Sequence, residues 1–244
     1  MTFKEELEAD ISSIIDTELK VAYGTVVPHT SSFNLGNAGI RLEAAYMYCD
    51  LIGSTKLATE MEDTVVAKTI KAFLATVSRV VLHYDGEIRS FDGDRVMGIF
   101  IGDDKCDRAV RTAWTIHWAV KELAHHALWI MEDAIFHSNW TMRAGIGIDT
   151  GYALIVRGGV RNHNDLVSIG GPPNIAAKLS EIRSPDHPTR TWITDEVFDE
   201  LSHPLKYGEK PDGEVILKWS NVRWTDVGGR WANVRSSTYW LSHK

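Results

Sequence analysis

Residues 86–100, GEIRSFDGDRVMGIF, restrict the possible folds of this chain more than any other segment. Glu87–Phe91 and Arg95–Phe100 have strand length and strand composition, and Asp92-Gly93-Asp94 between them is turn chemistry, so the spacing predicts a β-hairpin. Stretches of helical length flank it, from about Lys56 to Tyr84 and from Lys105 to Leu128. A strand, Glu43–Asp50, precedes the first helix. TMRAGIGIDTGYALIVRGG follows the second and reads as a strand, a Gly-rich turn and another strand. Strand, helix, hairpin, helix, strand is a βαββαβ order, which places the chain in the α+β (mixed α/β) class with antiparallel pairing.

The remaining segments frame this unit. Phe3, Leu7, Ile11, Ile14, Ile15 and Leu19 lie at helical spacing, and residues 24–40 are rich in Gly, Ser, Thr and Asn. Residues 1–40 are thus expected to be an N-terminal helix and linker, and 41–244 the main domain. DLVSIGG is a short strand. PPNIAAKLSEI opens a helix, with Pro172 and Pro173 where the first turn tolerates them. TWITDEVFDEL is a strand leading into a short helix, and the tail with Trp219, Trp224, Trp231 and Trp240 reads as strands that complete a sheet.

Composition excludes several functions. With 244 residues, 44% hydrophobic and 24% charged, the chain can bury a sizeable core. A net charge of -7 argues against a nucleic-acid binder, although a phosphate-bearing ligand stays possible if a metal supplies positive charge. Cys49 and Cys106 have no zinc-ligand spacing, and such sparse usage favours a reducing compartment. The N-terminus is acidic and lacks the apolar core of a signal peptide, and no window reaches the ~18 apolar residues of a membrane span. A cytoplasmic protein without a membrane partner is expected.

Chemistry concentrates at two aspartates. Asp50 ends the apolar run of YMYCDLIGST, and Asp94 sits in the hairpin turn. Brought side by side, two strand-end carboxylates form an oxygen-ligand site for Mg²⁺ or Mn²⁺. The amides of Leu51, Ile52, Gly53, Ser54 and Thr55, opening toward a helix N-terminus, could cradle phosphate oxygens. On residue chemistry alone, both aspartates could equally be turn initiators or helix caps.

Residues from about 42 to 201 resemble a class III nucleotidyl cyclase domain, through YCDLIGSTKL, GEIRSFDGDRVMGIF, MRAGIGIDTG and GGPPNIAAKLSEI in that order. The interval from Asp50 to Asp94, 94 − 50 = 44 positions, is the one that family keeps between its metal-binding aspartates. The resemblance implies two divalent ions, Mn²⁺ or Mg²⁺, on Asp50 and Asp94, with Leu51, which can offer only its backbone, in the ligand set. It implies Asn174 and, four residues on, Lys178 as the catalytic pair, with Lys in place of the family's Arg. It also implies one βαββαβ sheet with helices on one face, and a head-to-tail homodimer whose sites each join the aspartates of one chain to the Asn/Lys helix of the other.

The base-reading positions depart from the purine enzymes. Ser90 and Val167 occupy them, so neither the Lys-and-Asp pair that would bond adenine nor an acidic residue for guanine is present. Tyr46, Tyr48, Arg89 and Asp92 crowd the same elements. Strand alternation would let only one of Arg89 and Ser90 face the pocket, and the family alignment favours Ser90. Tyr46 and Tyr48 could as well be packing residues. The combination looks like the pyrimidine cyclases of bacterial Pycsar anti-phage defence. That likeness implies a nucleoside triphosphate substrate, UTP before CTP, and a cyclic product read by a separate effector. A purine cyclase with an atypical pocket and a catalytically inactive sensing or dimerisation module are the alternatives.

Overall fold

The computed structural model describes residues 1–30, 36–160, 162–183 and 191–243. It begins with a helix, α1 (Phe3–Asp16), and two strands, β1 (Lys20–Gly24) and β2 (Ala38–Leu51), which pair in parallel. The first helix therefore ends before residue 21, and residues 20–24 and 38–40 are sheet. Val21 and Tyr23 suit a pleated strand, and pairing with β2 satisfies backbone groups that a linker would leave to water. A capping box at Thr2 and Glu5 starts α1, none of whose residues is buried.

The helix expected over 56–84 is two helices, α2 (Ser54–Glu60) and α3 (Asp63–His83), because Met61 and Glu62 are extended. That break re-aims the chain so that α3 buries one stripe: Val65, Thr69, Phe73, Val77, Val80 and Val81. The hairpin forms as β3 (Glu87–Asp92) and β4 (Arg95–Phe100), with a bulge at Arg89. The second helical stretch is α4 (Lys105–Trp118), a π-helical segment over Ala119–His125, and α5 (His126–Met131), followed by α6 (Asp133–Phe136). β5 (Ala144–Val160) is one unbroken strand, paired without a shift to β2. The Gly-rich turn expected inside it does not form, for a packing reason given below.

β6 (His163–Ile169) folds back on β5, α7 (Gly171–Glu181) follows, and β7 (Thr191–Thr194) runs parallel to β5. The chain ends with α8 (Asp195–Glu200), α9 (His203–Lys206), β8 (Tyr207–Glu209), β9 (Val215–Leu217), β10 (Arg223–Val227) and β11 (Arg230–Ser237). Among the described residues nine strands form one sheet, ordered β10-β11-β7-β5-β2-β4-β3, with β1 beside β2 and β6 beside β5. Of the Trp-rich tail, β10 and β11 extend this sheet, whereas β8 and β9 form a separate ribbon.

The segment β5-β2-β4-β3, with α3 and α4 as crossovers, is the expected βαββαβ unit. Alternation along β2 divides the two faces. Ala45, Met47, Cys49 and Leu51 pack with α3 and α4, while Leu42, Ala44 and Tyr46 pack with Ala176 of α7. The crossover helices thus share one face, as expected, and α7 lies against the other. Among the described residues no helix is long and apolar enough to cross a membrane.

His117 on α4 is turned inward, its Nε2 3.1 Å from Thr191 Oγ1, and burial pushes its pKa down to about 4. The unfolded chain takes up this proton near the ordinary value of about 6.5, and the folded chain only near 4. Stability should therefore fall as pH drops from about 6.5 toward 4. Urea unfolding at pH 7 and pH 4.5 should show a smaller loss for His117→Gln than for the wild type.

Candidate active site

The site is built on the contact between α7 and β5. Register places Gly145 opposite Asp50 and Gly147 opposite Tyr48. A Cβ at Gly147 would overlap the Ala176 carbonyl oxygen and lie 2.5 Å from Ser180 N; one at Gly145 would lie 2.5 Å from Ser180 O. The backbone of α7 thus rests directly on the strand, and these two glycines serve close approach, not a turn. On its flank α7 packs Ile175 and Leu179 against Trp192, Val227 and Val234. Asn174 and Lys178, one turn apart, are left exposed. Lys178 donates to Glu181 Oε2 at 3.0 Å, and the Asn174 side chain makes no hydrogen bond among the described residues.

At the same end of the sheet the structure brings Asp50 and Asp94 together. Burial and the facing charge of Asp94 raise the Asp50 pKa above its ordinary value, against the opposing pull of Arg95 and Arg183. Arg95 Nε lies 3.7 Å from Asp50 Oδ1, and Arg183 Nη2 donates to Asp50 Oδ2 at 2.8 Å. Asp94 Oδ2 is buried with no hydrogen-bond partner. An unmatched buried carboxylate oxygen beside a second carboxylate is a costly arrangement that a hard cation relieves, so the pair fits a divalent ion with oxygen ligands. Among the described residues no group of three or more His, Cys, Asp or Glu gathers around such an ion. Further ligands would have to be backbone, water or substrate oxygens.

The turn after β2 is only partly the amide cradle that was expected. Leu51 pairs with Ala144 in the ladder, and the Ile52 amide donates to the Arg143 carbonyl at 2.9 Å, so the Ile52 amide is already used. Gly53 takes a left-handed conformation, φ +80°, at the head of α2, leaving the amides of Gly53, Ser54 and Thr55 without intrahelical acceptors. Arg143, which sequence reasoning passed over, stands beside this turn. Its guanidinium makes no ion pair or hydrogen bond among the described residues, and its Nε is buried. An arginine opening an apolar strand was the available signal, but only the fold shows that it has no carboxylate partner among the described residues.

The bulge at Arg89 cancels the alternation expected of β3. Ser90 pairs with Met97, whose side chain belongs to the face that carries Tyr46, and Arg89 reaches the strand that folds over the same face. Arg89 donates to Asp165 Oδ1 at 2.9 Å and to the Leu166 carbonyl, while its Nε is buried and unpaired. Among the described residues the Ser90 hydroxyl meets only Met97 Sδ, at 3.9 Å. Tyr48 is half-buried, its pKa raised by burial, with the charges of Arg95, Asp92 and Arg89 around it. Tyr46 is fully buried, donates to the Leu42 carbonyl at 3.3 Å, and is core. Val167 on β6 is half-exposed and not core.

No family profile matches the chain. A uridylate cyclase of Rhodovulum sp. (strain MB263) is 34% identical over 240 residues, 98% of this chain and 98% of that protein. A uridylate cyclase of Burkholderia cepacia is 32% identical over 230 residues, 93% and 95% of the two chains. Among solved structures, the adenylyl cyclase CyaB from P. aeruginosa matches with a TM-score of 0.64 at 19% identity, over 84% of this chain and 97% of that one. The guanylate cyclase domain of RhGC from Catenaria anguillulae, in complex with GTP, matches with a TM-score of 0.63 at 14% identity, over 82% and 97%. Both structures share the fold.

The seat of α7 is testable by adding one methyl group. Gly147→Ala places a Cβ against helix backbone, which cannot swing aside as a side chain can. It should lower unfolding stability by about 1–3 kcal/mol, the usual cost of overpacking, and reduce activity by shifting α7. Denaturant unfolding and activity, measured on the same sample, check both effects.

Proposed function

The chain belongs to the uridylate cyclase family and is a nucleotidyl cyclase enzyme; from this premise we propose that it converts UTP, and CTP less well, to the 3′,5′-cyclic monophosphate and pyrophosphate. The observation that carries the proposal is the pairing of Asp50 with Asp94 around a buried carboxylate oxygen that has no partner. Two divalent ions, Mn²⁺ or Mg²⁺, held by Asp50, Asp94 and backbone of Leu51 would lower the pKa of the attacking 3′-hydroxyl and offset the triphosphate charge. The 3′ oxygen forms a bond to the α-phosphorus as the bond to the bridging oxygen of pyrophosphate breaks, and the hydroxyl proton is released. Asn174 orients the ribose. Lys178 stabilises charge developing on the α-phosphoryl group, as a point charge without the bidentate fork of arginine. Gly53, Ser54 and Thr55 offer amides, and Arg143 an unpaired guanidinium, to the polyphosphate.

The base preference follows from the donors on β3. Arg89, pinned to β6, and Ser90 present donors beside the half-buried ring of Tyr48. Uracil offers two carbonyl acceptors, and cytosine replaces one of them with an amino group. Adenine needs an acceptor for its amino group, and Val167 has none to give.

Asn174 and Lys178 face solvent on their own protomer, which supports a head-to-tail homodimer with sites shared between chains. By likeness to Pycsar cyclases, the product is a second messenger of anti-phage defence, read by a separate effector.

Incubation with the four triphosphates and Mn²⁺, with products identified by mass, should show UTP first and CTP second. ATP and GTP should be turned over roughly ten- to a hundredfold less well, the scale of one unmatched buried polar group. Preference for ATP in equimolar competition would replace the pyrimidine assignment with a purine one. Asp50→Asn and Asp94→Asn should each abolish turnover.

Shared sites predict complementation. Asp50→Asn and Asn174→Ala homodimers should both be inactive. On subunit exchange they should recover up to roughly half the wild-type activity per dimer, since one of two sites is then intact. Inactive heterodimers, identified by native mass spectrometry, would place each site within one chain.

A further inference from the structure

Arg183 lies just beyond α7, five residues after Lys178, outside the catalytic pair. Its guanidinium is held at both ends. Nη1 donates to the Ser180 carbonyl at 2.6 Å and to the Ile182 carbonyl at 3.3 Å, and Nη2 donates to Asp50 Oδ2 at 2.8 Å. Among the described residues Asp50 is the one carboxylate it pairs with. Arg95, the other cation near Asp50, is already balanced: its Nη2 lies 3.0 Å from Glu181 Oε1, and its Nε is 3.7 Å from Asp50. Among the described residues Arg183 is therefore the cation that hydrogen-bonds Asp50, while Arg95 acts on it from farther off.

The space for this contact is built into the sheet. Gly145 stands opposite Asp50, and a Cβ there would come 2.8 Å from Arg183 Nη1 and 3.3 Å from its Cζ. Glycine at this place leaves a lane between β5 and the end of α7, and the guanidinium fills it. The Asp50 side chain is 14% exposed, so water screens the pair only in part. The free fork of Arg183, Nη2, goes to Asp50, and among the described residues no donor reaches Asp94 Oδ2.

We propose that Arg183 is a positioning residue of the metal pair: a resident cation on Asp50 that a divalent ion must displace, and that thereby sets how readily the site loads. The proposal rests on the assignment of Asp50 and Asp94 as metal ligands made above. With Asp50 neutralised by its own chain, the two carboxylates alone bind an ion weakly. Firm loading then requires the extra oxygen ligands that a polyphosphate brings.

The test is Mn²⁺ binding without nucleotide, followed by loss of the free-ion signal in electron paramagnetic resonance. Arg183→Gln should bind Mn²⁺ about three- to tenfold more tightly than the wild type, the range expected for loss of a partly screened ion pair. Arg183→Lys keeps the charge but cannot bridge Ser180 and Asp50 with one planar fork, and should tighten binding by a smaller factor. It also supplies the answer if Arg183→Gln fails to fold, as judged by thermal unfolding. Lys178→Gln removes a nearby charge that does not touch Asp50, and should change affinity by less than about twofold, the effect of a screened charge. Unchanged or weaker binding in both Arg183 variants overturns the proposal, as does an equal shift in Lys178→Gln, which would assign the effect to general charge. Asp50→Asn separates the two levels of inference. If it binds Mn²⁺ like the wild type, the metal assignment itself fails and the proposal falls with it.

Discussion

The backbone of α7 lies against β5 with no side chain between them at Gly145 and Gly147, and the rest of the site takes its geometry from that contact. A helix normally packs on a sheet through a layer of side chains. Here the layer is removed at two alternate positions of one strand face, so Ala176, Ser180 and the end of the helix come down onto the sheet. Asn174 and Lys178 are thereby held at a set height and turned outward, while Ile175 and Leu179 lock the other flank into Trp192, Val227 and Val234. The same drop brings Arg183 within reach of Asp50, which belongs to the neighbouring strand. Packing and electrostatics at this end of the sheet have a single origin.

Charges along the site are arranged as a chain. Lys178 pairs with Glu181, Glu181 with Arg95, Arg95 stands near Asp50, and Arg183 closes on Asp50 from the other side. Most of these groups are partly solvent-exposed, so each pair adds little to stability. Their effect is to aim side chains. Among the described residues Asp94 makes no ion pair and its buried Oδ2 has no donor, which supports the ligand role proposed for it. The same logic singles out Arg143, a cation beside the turn after β2 with no carboxylate partner among the described residues.

The class of fold was legible in the sequence, because it rests on local pattern; the two aspartates proposed as metal ligands could be named there through the family resemblance. Strand, helix and hairpin lengths dictated the βαββαβ order, and the turn DGD placed Asp94 at a hairpin tip. The 44 positions between Asp50 and Asp94 carried the resemblance, and the spacing of Asn174 and Lys178 put them on one helix face. Other features could not be read, because they depend on neighbours distant in the chain. The glycines of RAGIGIDTG looked like a turn, since turns and close approaches select the same residue; only the presence of α7 tells them apart. The bulge at Arg89 reverses an alternation that is correct for any regular strand, and Ile52 loses its amide to a carbonyl 91 positions later, 143 − 52. Sequence by itself thus determined which chemistry this chain can perform, through residue types at fixed local spacings. The tertiary structure decided which atoms are free to perform it, because hydrogen bonds and ion pairs between remote segments, among them Arg183 with Asp50 and Arg143 with Ile52, commit some groups and leave others open.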